Sequence, residues 1–334
     1  MKLRIASLML PVAATVMAPG CGPGDRGVTG PMPSTAVRST SGNRPSWVSL
    51  GTAKTNLLYV SNSNAEVTVY SFFKRKLVAV LTDFTQPMGE CVDANQNVYI
   101  ADYGAHQIVE YAHGGSKPIK TIDDSPDSPY ACSVDPTTGN LAVANNDGAS
   151  QPGNIAIWNG SGQRTTYTDA TLFNFEGCAY DDNGNLLVTN GYVQYPYQTY
   201  FAWLPKSGSK LIDITLFNLF GSKWGGVEGI QWDGRYFVID EGYRVFRESL
   251  IHGQAYYVGE TAMSYSDEYN YGPYAFYIAT PGSQATQAVE GLTWNGGSGV
   301  GYWNYPAGGS GIAQITHAID KPFGVAISLR RASP

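Results

Sequence analysis

The chain has 334 residues, only 14% of them charged, and a formal net charge of −6. An acidic chain lacks the clustered basic surface that nucleic acid requires, so a nucleic-acid partner is excluded. Few charged side chains, with 39 Gly and 23 Tyr, argue against solvated helices and for a β-rich protein. An aromatic content of 13% excludes a disordered polymer.

The N-terminal segment has the features of an export signal. Two positive charges in Met1–Arg4 precede an apolar run, Ile5–Ala18, that is too short to span a bilayer. Ala18–Cys21 resembles a bacterial lipobox, in which the Cys becomes the lipidated first residue. The resemblance implies a signal peptide over 1–20 and lipidation of Cys21. Ordinary cleavage after Ala18 is the alternative.

A tether follows this signal. Residues 21–45 are rich in Gly, Pro, Ser and Thr and have too few apolar side chains to bury a core. We interpret them as a flexible linker, and no later stretch is long and apolar enough for a transmembrane helix. We therefore expect an exported protein of the bacterial cell envelope, periplasmic or on the surface, that meets the membrane through its lipid anchor only.

The remaining chain, 46–334, consists of one repeated unit. Six segments share a small residue, an alternating apolar stretch and a polar turn. Their small residues are Gly89, Ala131, Gly177, Gly229, Gly291 and Gly324, at spacings of 42, 46, 52, 62 and 33 positions. Short strands at periods near 40–50 residues are typical of propeller blades. The second unit, Asn97–Tyr111 (NVYIADYGAHQIVEY), resembles an NHL repeat, and weaker matches in the other units extend the resemblance over most of the domain.

The two ends of the domain complete each other. Phe323–Ser328 predicts an inner strand with no partners after it, whereas residues 57–81 predict three outer strands with no inner strand before them. Pairing the C-terminal strand with the first blade closes a six-bladed all-β propeller and leaves no long open edge. Seven blades are the alternative. The predicted blades are 57–85 with 322–329, 88–125, 129–171, 175–213, 227–280 and 288–319.

Two ambiguities remain within these blades. The Tyr-rich stretch Ala255–Tyr277 is either a large loop or a donated strand, and Val289–Ile319 shows only about three strands. Cysteine gives a further pair of alternatives. Cys91 and Cys132 lie at positions that face each other across one blade seam, which favours a disulfide in an exported protein. Three small buried thiols, with Cys178 as the third, are the alternative.

Carboxylates recur at the residue before the small residue, where each inner strand begins. In blade order, these residues are Phe323, Met88, Tyr130, Glu176, Glu228 and Glu290. In a closed ring the three Glu predict an arc at the channel mouth. Neighbouring carboxylates repel, so they bind a cation, share protons or are neutralised by donors across the channel. Oxygen ligands favour Ca²⁺ or Mg²⁺. Carboxylates that only cap backbone N–H groups are the alternative.

A second resemblance concerns Glu228–Asp240 (EGIQWDGRYFVID), which is similar to a motif of the gluconolactonase and senescence-marker family of six-bladed propellers. The resemblance implies that Glu228, with Glu176 and Glu290 at matching positions, binds a divalent cation for lactone or ester hydrolysis, with Glu176 or Glu290 as base. The Pro of the family motif is absent here, because Ile230 follows Gly229.

Two functions therefore compete. One is a monomeric, lipid-anchored binding or scaffold module for a protein or carbohydrate ligand. Its support is the tether and aromatic residues that we expect to be exposed: Tyr192, Tyr195, Tyr197, Tyr269, Tyr271 and Tyr274. The other is the metal-dependent hydrolase. No GxSxG, HExxH or phosphate-loop motif supports another chemistry.

Overall fold

The computed structural model describes residues 45–148, 151–190, 201–214, 216–217, 229–240, 244–251, 253–264, 276–279, 286–294 and 297–331. Regular structure in these ranges is almost entirely β, with two 3₁₀ turns at Thr52–Lys54 and Tyr103–Ala105. None of the helices in the described ranges has the length and apolar character needed to cross a membrane.

The strands follow one another in short, regularly spaced runs. The first twelve are β1 (Trp47–Val48), β2 (Leu57–Asn62), β3 (Val67–Ser71), β4 (Lys76–Leu81), β5 (Pro87–Val92), β6 (Val98–Asp102), β7 (Gln107–Tyr111), β8 (Pro118–Asp123), β9 (Pro129–Val134), β10 (Leu141–Asn145), β11 (Asn154–Trp158) and β12 (Arg164–Tyr167). Next are β13 (Phe175–Tyr180), β14 (Leu186–Asn190), β15 (Phe201–Leu204), β16 (Ile212–Ile214), β17 (Leu216–Phe217), β18 (Gly229–Trp232), β19 (Phe237–Asp240) and β20 (Arg244–Ile251). The last are β21 (Gln254–Ser264), β22 (Phe276–Ala279), β23 (Gln287–Trp294), β24 (Gly297–Asn304), β25 (Gly309–Ser310), β26 (Ala313–Ile315) and β27 (Pro322–Ser328).

These strands form six sheets, which are the blades of the ring. From the inner strand outward, blade 1 is β27-β2-β3-β4-β1, blade 2 is β5-β6-β7-β8 and blade 3 is β9-β10-β11-β12. Blade 4 is β13-β14-β15-β16, blade 5 is β18-β19-β20-β21-β17 and blade 6 is β22-β23-β24-β26. The short strand β25 pairs with β21 in parallel. The prediction of six blades is confirmed, and the alternative of seven is wrong.

Blade 1 is built from two distant parts of the chain. Strand β27 pairs antiparallel with β2, with Leu57 opposite Ser328 and Ser61 opposite Gly324. The C-terminal strand therefore closes the ring, as the unpaired ends of the sequence pattern predicted.

The last blade differs from the sequence prediction. Its inner strand is β22, and β23 is its second strand, with Phe276 opposite Glu290. Strand β22 therefore begins 47 residues after β18 begins at Gly229, and β27 begins 46 residues after β22, at Pro322. These values replace the irregular spacings of 62 and 33. The predicted boundary near residue 280 is wrong, because β22 is the fourth strand that the sixth blade lacked.

The core lies between blades rather than within them. Each of the six seams holds one cluster of buried side chains. Because side chains alternate along a strand, β2 directs Leu57 and Tyr59 toward blade 2 and Leu58 and Val60 toward blade 6. Both faces of such a strand are buried, so all six residues of β2 are buried.

Small residues allow the inner strands to approach closely around the axis. A Cβ added at Gly324 would lie 2.1 Å from Met88 O, and one at Gly89 would lie 2.7 Å from Tyr130 O. Both contacts are to backbone atoms of the next blade, which can move aside only at a large cost in free energy. The repeated small residue therefore sets how narrow the central channel is.

Cysteines reinforce one seam of this ring. Cys91 of β5 and Cys132 of β9 are joined in a disulfide with their Cα atoms 5.6 Å apart. Cys178 is a buried free thiol. The bond therefore links two inner strands that are neighbours in space and 41 residues apart in sequence.

Candidate functional site

A narrow channel of about 60 Å³ runs between the inner strands. Its wall includes residues from all six inner strands. The polar or aromatic ones are Glu90, Tyr130, Glu176, Phe276 and Phe323. Glu90 and Glu176 are the two carboxyl groups on this wall, and no basic side chain of the described residues lines it.

Glu90 lies just inside the channel on β5, directly after Gly89. Its neighbour Cys91 faces blade 3, so strand alternation directs Glu90 toward blade 1. There Ser61 Oγ donates a hydrogen bond of 2.7 Å to Glu90 Oε1. Glu90 Oε2 is buried and accepts no hydrogen bond from the described residues.

This burial changes the acidity of Glu90. Removal from water raises the pKa of its carboxyl group to about 8, although the Ser61 hydroxyl and the Ala326 backbone favour the ionised form. Glu90 in turn contributes to the raised pKa of the neighbouring Tyr59 hydroxyl, for which burial is the main cause. At neutral pH the folded protein therefore holds Glu90 mostly as the neutral acid.

Glu176 lies at the mouth of the same channel, at the start of β13. Asn146 Nδ2, directly after the end of β10, donates a hydrogen bond of 2.9 Å to Glu176 Oε1. Burial raises the pKa of Glu176 to about 7, against the opposing effect of that hydrogen bond. Glu176 remains half-buried, so a ligand at the mouth can reach it.

Two tyrosines and a second acid surround Glu176. The rings of Tyr103 and Tyr130 meet edge to face, with centroids 6.4 Å apart. Asp147 Oδ1 accepts the Ser128 backbone N–H at 2.8 Å. Burial, then the charge of Asp147, and more weakly that of Glu176, raise the pKa of Tyr103. All of these side chains except Ser128 are half-exposed, so they form a shallow polar and aromatic surface. We call Tyr103, Tyr130, Asn146, Asp147 and Glu176 the mouth cluster.

Of the predicted glutamate arc, the described residues place Glu176 at this mouth and Glu290 elsewhere. Glu290 lies on the second strand of blade 6, so the prediction that it begins an inner strand is wrong. Its strand neighbours Ala288 and Leu292 pack in the seam against Val238 of blade 5. By alternation Glu290 faces this seam, where it is buried, and it is not among the residues lining the channel.

Other predicted site residues fall outside the described ranges. These are Glu228, the lipidation candidate Cys21, and Tyr192, Tyr195, Tyr197, Tyr269, Tyr271 and Tyr274. Within the part of the chain that the structure describes, no three His, Cys, Asp or Glu side chains are grouped to hold a metal ion. The Ca²⁺ or Mg²⁺ site therefore stays a prediction without a described ligand set.

Sequence reasoning missed Glu90, Tyr103, Asn146 and Asp147. Glu90 follows the small residue instead of preceding it, so a search of the preceding position passes over it. The equivalent residues of the other inner strands include Cys132, Cys178 and Val325. The sequence signal that could have identified Glu90 is a charged residue at a position where the other inner strands have small or apolar residues.

Comparison with known proteins identifies a fold and no family. No protein-family model matches the chain, and no curated protein matches its sequence. Among solved structures, a chain from a nidogen/laminin complex is similar with a TM-score of 0.59 and 16% identity, over 83% of this chain and 99% of that chain. A protein of unknown function from Bacteroides caccae has a TM-score of 0.59 and 11% identity, over 82% and 99%. By its fold, the chain is a six-bladed β-propeller.

Proposed function

We propose that the chain is an exported, lipid-anchored β-propeller that binds a protein or glycan ligand at the mouth cluster. The supporting observation is that two tyrosines, an amide and two carboxyl groups from three adjacent blades converge, half-exposed, at one end of the channel. The propeller fold hosts many unrelated functions, so the proposal depends on this site and not on the fold.

The chemistry of the mouth cluster suits binding. Tyrosines supply large, rigid contact area with a polar tip. The Asn146 amide and the Asp147 and Glu176 carboxyl groups supply directional hydrogen bonds to polar ligand groups. A shallow surface with few convergent polar groups, set on strands that the seams hold in place, is a typical binding surface.

The alternative hydrolase loses support. Metal-assisted lactone or ester hydrolysis was proposed from three carboxylates on neighbouring inner strands. Glu290 belongs to a seam instead, and Glu176 already accepts a hydrogen bond from Asn146. Among the described residues, the two carboxyl groups of the channel wall, Glu90 and Glu176, lie at different depths and do not reproduce that ligand arrangement, and Glu228 lies outside the described ranges.

Arrays of glycans and of purified extracellular proteins test the binding proposal, with three forms of the propeller as probes. Tyr130→Ala removes one aromatic side of the mouth cluster. Tyr256→Ala is the matched control, because Tyr256 is exposed on the outer strand β21 of blade 5. We expect array ligands of the wild type to be lost with Tyr130→Ala and kept with Tyr256→Ala. Identical binding by all three forms, with unchanged melting curves, would exclude the mouth cluster.

The anchor is tested separately. Cys21→Ser in the full chain should move the protein from the detergent phase to the aqueous phase in a detergent partition experiment, because a lipid chain adds apolar area. Cys178→Ser controls for the change of a cysteine elsewhere. Partition of the wild type into the aqueous phase would contradict lipidation and favour ordinary cleavage.

A further inference from the structure

The channel wall carries an acid where the other inner strands carry small or apolar residues. Glu90 is 9% exposed, and its counterparts after the small residue include Cys132, Cys178, Ile230 and Val325. Burying an ionisable carboxyl group opposes folding unless the group is paired or neutral. The small and apolar counterparts show that an inner strand forms without an acid at this position, so a ligand from outside the chain would account for Glu90.

One oxygen of Glu90 is available for such a partner. Oε1 accepts the Ser61 hydroxyl and the Ala326 backbone also favours the ionised carboxyl group, whereas buried Oε2 has no partner within hydrogen-bond geometry among the described residues. Buried polar atoms are nearly always hydrogen-bonded in folded proteins. Glu90 also lines the channel, so a donor on a ligand that enters the channel can bind this oxygen when the carboxyl group ionises.

The described residues that line the channel include no cationic donor for an ionised Glu90. The titratable groups that face Glu90 are Tyr59 on β2, and Glu176 and Cys178 across the channel on β13. Strand β27 contributes Val325 and Ala326, neither of which titrates, and on β9 Cys132 is held in the disulfide. The wall thus offers two carboxyl groups and, among the described residues, no compensating positive charge.

We infer that the channel binds a primary ammonium group on an unbranched chain, such as a lysine side chain of a protein ligand, through Glu90. This inference deepens the proposed function and rests on it, because the ligand enters at the mouth cluster. It favours a protein over a glycan as the ligand.

The shape of the channel selects this group. A cavity of about 60 Å³ admits a compact ammonium more easily than a planar guanidinium or a sugar ring. Glu176 precedes its glycine and Glu90 follows its own, so the two carboxyl groups differ by two strand positions, roughly 7 Å along the axis. That depth is close to the length of a lysine side chain, so an ammonium passes Glu176 and stops at Glu90. Tyr130 and Phe323 are also among the residues lining the channel, and aromatic ring faces attract cations.

Binding involves a proton but no covalent step. Before binding, the Glu90 carboxyl group is mostly protonated at neutral pH because burial raises its pKa to about 8. The arriving ammonium keeps its three protons and stabilises the ionised carboxylate, whose own proton leaves to the buffer. The net exchange is one ligand cation bound for about one proton released.

Carbon-13 NMR of protein labelled at glutamate carboxyl groups tests the inference directly, because the chain has only ten Glu and Glu90→Gln assigns the signal of interest. The probe is Nα-acetyl-lysine methylamide at pH 7. We expect it to shift the Glu90 signal toward the ionised position. The Nα,Nε-diacetyl form, which has no charge, should leave it unmoved, and so should CaCl₂.

Matched variants complete the experiment. Amide shifts of Gly177, on the channel wall, report affinity when the Glu90 signal is absent. Glu90→Gln should lower the affinity for the lysine probe by roughly 10- to 100-fold, which is the usual contribution of a charge-assisted hydrogen bond. Glu260→Gln, an exposed carboxylate of blade 5 paired with Arg244, should leave binding unchanged.

Three outcomes would overturn the inference. They are equal binding of the diacetylated probe, undiminished binding by Glu90→Gln, and a shift of the Glu90 signal by CaCl₂ instead of the amine. If array ligands depend on Tyr130 while the lysine probe fails, the ammonium inference falls and the binding function stands. If Glu90→Gln does not change binding of the lysine probe and Tyr130→Ala does not change binding of array ligands, both the ammonium inference and the proposed binding function fail.

Discussion

Replacing Glu90 by Gln should make the propeller more stable at alkaline pH and less dependent on pH. The wild-type carboxyl group has an ordinary pKa of 4.5 and a folded pKa of about 8. A raised folded pKa means that the folded state binds the proton more tightly than the unfolded state does. The contribution to stability is therefore fully present below about pH 4.5 and is lost as pH rises through 8.

The size of the effect follows from this difference. Since one pKa unit corresponds to about 1.4 kcal/mol, ionising Glu90 costs the folded state on the order of 5 kcal/mol above pH 9. Gln is close in size, keeps an acceptor for the Ser61 hydroxyl and does not ionise. Wild type and variant should therefore unfold at similar urea concentrations at pH 5, and the variant should be more stable by a few kcal/mol at pH 9.

Urea unfolding followed by tryptophan fluorescence at pH 5, 7 and 9 measures this difference. Glu176→Gln serves as a companion, because Glu176 is half-buried with a pKa of about 7 and should show a smaller effect at lower pH. A stability difference between wild type and Glu90→Gln that is the same at pH 5 and pH 9 would refute the burial argument.

Three further changes test the ring itself. Gly324→Ala places a methyl group against backbone atoms at the axis and should lower the free energy of unfolding by about 1–3 kcal/mol. The control Gly160→Ala, which has open space around it, should leave this free energy almost unchanged. Equal urea midpoints for the two variants would contradict the close approach of the inner strands. Replacing both Cys91 and Cys132 by Ala should lower the free energy of unfolding by about 4 kcal/mol, because the disulfide closes a loop with a 41-residue separation. An unchanged denaturant midpoint would argue against the disulfide. Burial lowers the pKa of His113, so its contribution to stability is present above pH 6.5 and lost as pH falls below it. His113→Gln should therefore lose less stability than wild type between pH 7.5 and 5.5, and an equal loss in both would show that His113 is not responsible.

The ring was predictable from sequence because its constraint is local and repeated. Each inner strand must pass close to the next, so a small residue recurs at one position and marks the period. The unpaired strands at the two ends of the domain then indicate closure. The pairing of Cys91 with Cys132 follows from the same register, because alternate residues on neighbouring inner strands face each other.

The last blade was not predicted in this way because Glu290 and Gly291 repeat the Glu-Gly pair of Glu176 and Gly177 and so mark the wrong strand. The actual inner strand, β22, lies at the end of the Tyr-rich stretch, where Phe276 lies beside Gly229 of blade 5. Gly291 does meet Pro322 of blade 1, but from the second strand. A glycine pattern thus selected the wrong strand, and with it the wrong role for Glu290.

The candidate site was less predictable than the fold. Glu176 was identified by its position, but its partner Asn146 lies in the loop after β10 and comes from a separate blade. Tyr103 and Asp147 reach the mouth from loops between second and third strands. Such residues carry no periodic signal, because a loop position is set by where its strand ends and not by a repeated contact.

The junction of β2 with β27 has a consequence for how the molecule folds. Leu57 and Ser328 are 328 − 57 = 271 positions apart, so this pairing forms only after nearly all of the intervening chain has been organised. Contacts of such long range slow folding and leave β2 as an exposed strand edge until the last moment. The interval before closure is therefore when a nascent chain is most vulnerable to pairing with a second copy, and chaperone protection would matter most there.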